Sequence, residues 1–206
     1  MIRRLLLSLI VLALGASASG QNIVTDFASS IKGRCITFGY SYSVSGQVPL
    51  TGSGDIMFQG ESFVMKGDGL EIYCNGSDRW TVDVPSEECY IESVNQSTLD
   101  VEANPALLVS SVDKAFNYQK TSSSTFNGKN VTEAVLTPAS KGGNIKEVSF
   151  FLSMSKIPVG AIITAEDGTA IAITINDYAS GAPVDEKQFS LDTGKLGKNF
   201  IITDLR

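Results

Sequence analysis

The chain contains no histidine among its 206 residues. That absence removes Ser-His-Asp and Cys-His nucleophilic sites, and with them the histidine-ligated zinc motifs. Cysteine is scarce: Cys35, Cys74 and Cys89 stand alone, with no C-x-x-C spacing, so no metal centre is expected. An odd count leaves at least one thiol outside any intramolecular disulfide. Basic residues are outnumbered 16 to 22, for a net charge of −6. Nucleic acid and anionic membrane surfaces select basic patches, so neither is expected as a partner. Gly194-Lys195 lacks the upstream glycine and the Ser/Thr of a phosphate-binding loop. Asp167-Gly168 lacks the spaced acidic ligands of a calcium loop. A carboxylate pair for glycoside hydrolysis has no pointer in the sequence. No cofactor is expected, and the usual acid–base groups of an enzyme are not assembled by any motif.

One apolar run stands out, Leu5–Leu14, interrupted only by Ser8, preceded by Arg3-Arg4 and followed by Ala16-Ser17-Ala18. A basic start, a short greasy stretch and an A-x-A site form a secretory signal peptide. The run falls short of the roughly 20 residues a spanning helix needs. The expected organisation is a signal peptide over residues 1–18 and one domain over 19–206, exported in soluble form. Loss of Arg3 and Arg4 takes the net charge from −6 to −8.

The rest of the chain is dominated by alternation with a period of two, the mark of half-buried antiparallel strands. Ile36, Phe38, Tyr40, Tyr42 and Val44 share one parity; Ile56 and Phe58, then Leu70, Ile72 and Cys74, then Trp80, Val82 and Val84 follow. Asn75-Gly76 and Asn127-Gly128 are hairpin signals, and Pro85-Ser86-Glu87 and Glu166-Asp167-Gly168 supply further turns. Later strands carry Val148, Phe150, Leu152 and Met154, then Val159–Ala165, then Ile171, Ile173 and Ile175, before a loop over 176–183. Two amphipathic helices are expected. One lies over Asn22–Lys32, with Val24, Phe27 and Ile31 on its stripe and Gly33 as its stop. The other lies over Asn104–Phe116, opened by Asn104-Pro105 and striped by Leu108 and Val112. About ten strands and two helices make a mainly β (α+β) protein: a single curved antiparallel sheet forming a half-open barrel, with short helices plugging the concave side. In a meander, the strands of Cys74 and Cys89 are next-nearest neighbours, about 10 Å apart. That exceeds the ~7 Å reach of a disulfide, so this pair is expected to stay unlinked.

The inner face gathers Phe38, Tyr40, Ile56, Phe58, Phe63, Met65, Ile72, Trp80, Val82, Phe150 and Leu152. One reading is an ordinary filled core. The other is that part of the face is open, a cavity whose methionine and aromatic lining accepts acyl chains.

Gly54-Asp55-Ile56-Met57-Phe58, Phe63, Leu70–Gly76 and Arg79-Trp80-Thr81 resemble the strand order of the LolA family of periplasmic carriers of outer-membrane lipoproteins. Asn104–Leu108 resembles the family's lid helix, and Ile145–Phe151, Glu166–Gly168, Ile173–Ile175, Phe189–Leu191 and Ile202–Arg206 resemble its C-terminal strands and closing segment. The resemblance covers most of the chain after residue 18. It implies a hydrophobic cavity for acyl chains over residues just named, with Leu108 and Val112 on a lid. It implies a periplasmic, monomeric carrier without cofactor, acylated lipoproteins as cargo, and an inner-membrane releasing transporter and an outer-membrane acceptor as partners. One feature departs from the pattern: the family's lid-fastening arginine is replaced by Gly60 or Glu61. A second reading stays open, an envelope sensor or protein-interaction module of the same fold without lipid transport.

Overall fold

The computed structural model describes residues 22–45, 49–94, 107–140 and 143–206, and the side chains of Leu107 and Leu108 are not among those described. The signal-peptide reading therefore falls outside it, as do the helix start at Asn104-Pro105 and the Leu108 side chain.

Helix α1 spans Ile23–Ile31, and the Asn22 side chain caps it by accepting from the backbone N–H groups of Val24 and Thr25. Gly33 ends it in a left-handed conformation, φ 69°. Strands β1 (Cys35–Ser45), β2 (Leu50–Gln59), β3 (Ser62–Gly67), β4 (Leu70–Cys74), β5 (Asp78–Asp83) and β6 (Glu88–Ser93) form an antiparallel meander. The helix expected over 104–116 appears as two four-residue pieces, α2 (Leu107–Ser110) and α3 (Val112–Ala115), broken at Ser111. A second meander follows: β7 (Phe116–Phe126), β8 (Lys129–Pro138), β9 (Ile145–Leu152), β10 (Pro158–Ala165) and β11 (Ala170–Gly181). Strand β1 joins β11, and β12 (Ile201–Asp204) closes the far edge beside β6.

The result is one curved, open, 12-stranded sheet in the order β12-β6-β5-β4-β3-β2-β1-β11-β10-β9-β8-β7. Three expectations need correction. The sheet is not wholly antiparallel, because β12 runs parallel to β6. Parallel neighbours are never joined by a tight turn; here the whole second meander lies between β6 and β12, and residues 182–200 form the crossover that carries the chain from β11 to this edge. Gln59 anchors its start, accepting from the Val184 N–H at 2.8 Å and donating to Glu186 at 2.8 Å. Residues 176–181 are strand rather than loop: β1 supplies backbone partners as far as Gly181, and a bulge beside Asp177, φ 51°, hides the alternation. Ser122–Thr125, a run of hydroxyl residues that reads in sequence as a loop, likewise belong to β7, an edge strand whose polar residues face solvent.

The main core lies on one face of the sheet. Val24, Phe27 and Ile31 of α1 and Val109, Val112 and Ala115 of the short helices pack with Ile36, Phe58, Phe63, Leu136 and Phe150. The Phe27 and Phe150 ring centroids are 5.6 Å apart. Cys74 belongs to this face. Cys89 sits on the other, in a cluster with Trp80, Val82 and Ile91 that Leu191, Leu196 and Phe200 of the crossover cover. The two thiols are thus separated by the sheet as well as by β5.

Candidate ligand-binding cavity

The inner face is filled at the end nearest α1 and open at the other. There lies a cavity of about 550 Å3, bounded by β1, β2, β3, Leu70 of β4, β9, β10, β11 and Val109 of α2. Register builds its wall. Tyr42 of β1 lies beside Ile173 of β11, and Ile173 lies beside Ala161 of β10; Val44, Ile171 and Ile163 repeat the row nearer the mouth. Because side chains alternate between faces, this row points one way, and all six of these residues line the cavity. Ile171, Ile173 and Ile175 are only half-buried, as side chains facing an open space should be.

Two tyrosines lie down on the sheet and keep that space open. Tyr40 stands opposite Gly54 and Tyr42 opposite Gly52. A methyl group on Gly54 or Gly67 would strike the Tyr40 hydroxyl, and one on Gly52 would strike the Tyr42 ring. With no side chains at these three positions, the rings extend over β2 towards β3 and stack on each other, centroids 6.4 Å apart and planes at 21°. Burial pushes the Tyr40 hydroxyl above its ordinary pKa, with the Asp68 carboxylate adding to the shift. Tyr42 moves the same way, by burial first and then by its hydrogen bond to Asp68. Both stay un-ionised at neutral pH, as an apolar wall requires. Among the described residues, Asp68 and Asn144 are the polar side chains that line the cavity besides the two tyrosines.

The sequence-predicted cavity residues divide into four groups. Phe38, Tyr40, Ile56, Met65 and Phe150 line the cavity. Phe58, Phe63 and Leu152 are buried in the core beneath it, and Ile72 packs against that core half-buried. Trp80 and Val82 are on the opposite face of the sheet. Four residues, 75–78, lie between the paired Cys74 and Arg79, and this even number sets Trp80 beside Tyr73 and reverses the parity between β4 and β5. Of the lid pair, Val112 is wholly buried in the core, 0% exposed, while its neighbour Val109 reaches the cavity. Tyr42, Val44, Asp68, Ile163 and the β11 isoleucines also line the cavity, beyond the residues the sequence points to. The alternation of Ile171, Ile173 and Ile175 was the available signal, but pairing of β11 with β1 is what brings it to the site.

The wall offers apolar area and almost no polar chemistry. Among the described residues no group of three or more metal-ligating side chains occurs. No described helix is long and apolar enough to cross a membrane.

The family described as "Outer membrane lipoprotein carrier protein LolA" matches residues 45–192. No curated protein is similar to the chain in sequence. Among solved structures, a conserved protein from Thermus thermophilus is similar with TM-score 0.55 and 7% identity, over 88% of this chain and 96% of its own. A LolA superfamily protein from Nitrosomonas europaea aligns at 12% identity and TM-score 0.48, over 82% and 96%. A DUF1329 family protein from Desulfovibrio piger aligns at 10% identity and TM-score 0.46, over 85% and 96%. With the family matched across well over half its length, the chain belongs to the LolA family.

Proposed function

We propose that the protein is a soluble carrier of the cell envelope that holds the acyl chain of a lipoprotein in this cavity and ferries it across the periplasm. The observation that carries the reading is the cavity itself: about 550 Å3 with a wall of isoleucine, phenylalanine, tyrosine and methionine. At about 30 Å3 per methylene-sized group it has room for roughly 18 of them, or one acyl chain. Each methylene moved from water into such a wall contributes about 0.8 kcal/mol. The role is binding rather than catalysis and asks for no cofactor.

In this reading the curved sheet is a half-open barrel whose concave side is closed by α1, α2 and α3. The short α2–α3 segment is the lid. Helices this short are marginal alone, so packing of Val109, Val112 and Ala115 holds the closed state. The family's arginine fastening is replaced at Gly60 or Glu61, and that packing takes its place. A releasing transporter at the inner membrane and an acceptor at the outer membrane complete the route, and a signal peptide over residues 1–18 delivers the chain to it.

The test is titration with an apolar fluorescent probe, followed by displacement with an acylated peptide and with the same peptide lacking the chain. A carrier takes up one probe per molecule and gives it up to the acylated peptide alone. No uptake would leave an interaction module whose inner face is only core.

A further inference from the structure

The cavity wall carries one charged side chain among its described residues, Asp68. It stands at the mouth, in the turn between β3 and β4, with a left-handed backbone at φ 52°. Its carboxylate is held in place. The Tyr42 hydroxyl donates to Oδ2 at 3.1 Å, and the Ser53 backbone N–H approaches Oδ1 at 3.4 Å. Gly52 leaves the space where ring and carboxylate meet, since a methyl there would strike both. The nearest cationic side chain on β3, Lys66, is committed elsewhere, bonded to Glu71 at 2.8 Å with its ammonium over the Tyr73 ring.

We infer that Asp68 is a specificity-determining residue: it selects ligands whose polar head, where the acyl chain leaves the cavity, donates hydrogen bonds and carries no negative charge. The inference rests on the proposed binding of acyl chains in this cavity. An ionised carboxylate only accepts hydrogen bonds, and two bound donors leave some of its lone pairs free. An amide, hydroxyl or ammonium head supplies the missing donors. A carboxylate or phosphate head brings a like charge to within a few ångströms and finds no cation in the described wall to offset it. The mouth is open to solvent, so the penalty is screened and modest, on the order of 10-fold in affinity, or about 1.4 kcal/mol.

The experiment displaces an apolar probe with three 12-carbon ligands at pH 8 and low salt, each below its micelle concentration: dodecylammonium, N-dodecanoylethanolamine and dodecanoate. The wild type should bind the first two about 10-fold or more tightly than dodecanoate, and the gap should shrink in 1 M NaCl. Asp68→Asn keeps the Oδ1 acceptor for the Ser53 N–H, can donate its amide N–H to the Tyr42 hydroxyl oxygen in place of the lost acceptor, and tolerates the left-handed backbone, so its melting temperature should hold. In that variant the gap should close to within about 3-fold, mainly through tighter dodecanoate binding. Equal binding of all three by the wild type overturns the inference and leaves acyl binding standing, as does a gap that neither Asp68→Asn nor salt reduces. Failure of all three to displace the probe overturns acyl binding and the inference together.

Discussion

Ile173→Trp should occlude the cavity without unfolding the sheet. Ile173 sits in the middle of β11, between Tyr42 and Ala161, half-buried and facing the open space. Tryptophan adds about six heavy atoms there, a third of the roughly 18 methylene-sized places in the cavity. If each place taken costs the ligand one buried methylene at about 0.8 kcal/mol, the loss is about 5 kcal/mol. A chain that slides outward recovers part of this, so the expected loss is at least about 2 kcal/mol, or roughly 30-fold in affinity. Ala172→Trp is the control: the next residue, half-buried, on the other face of the strand. Calorimetric titration with an acylated peptide reads both variants, and thermal melting confirms that each is folded. The reasoning is refuted if folded Ile173→Trp binds as the wild type does, because the acyl chain would then lie elsewhere.

Trp80 should report nothing of ligand binding: it is buried under the crossover on the opposite face, so its emission maximum should not move when the cavity fills. Cys74 and Cys89 should resist thiol reagents at pH 8 until the protein unfolds, since burial raises both thiol pKa values and so suppresses the thiolate; non-reducing peptide mapping should find them unlinked. Arg206 ties β12 down by pairing with Asp78 at 3.0 Å and Asp204 at 2.7 Å, and it holds the Asp204 carboxyl down to about 2. A depressed folded-state pKa stabilises above the free carboxyl's value of about 4. That contribution should therefore fade as pH falls from about 4 towards 2, and a pH series of melting curves should show a larger loss over this range in the wild type than in Arg206→Ala, which keeps the depressed Glu71 and Asp167 carboxyls.

Much of the fold is legible because its local signals agree with its packing. Asn22, the stripe of Val24, Phe27 and Ile31, and Gly33 define α1 from cap to stop. The parity of Phe38, Tyr40, Tyr42 and Val44 gives the cavity face of β1 directly. What is not legible depends on partners or on one-residue details. The phase of Trp80 hinges on whether the loop after Cys74 holds an even or an odd number of residues, and Asn75-Gly76 signals a turn without fixing that number. The polar end of β11 is strand only because β1 lies beside it. The openness of the cavity comes from Gly52, Gly54 and Gly67, which read in sequence as turn-rich composition. Their effect appears only when register sets Tyr40 and Tyr42 against them. Asp68 reads as an ordinary turn residue until the cavity mouth forms around it.

The central claim, that an acyl chain lies on the inner face among β1, β10 and β11, is tested most directly by isotope-filtered NOE spectroscopy on isoleucine-methyl-labelled protein with an unlabelled acylated peptide. Contacts are expected from the chain to the methyls of Ile163, Ile171, Ile173 and Ile175, which line the cavity. None is expected to Ile91 of the opposite cluster or to exposed Ile202. Contacts to Ile91 or Ile202 without contacts to the β11 isoleucines would contradict that claim.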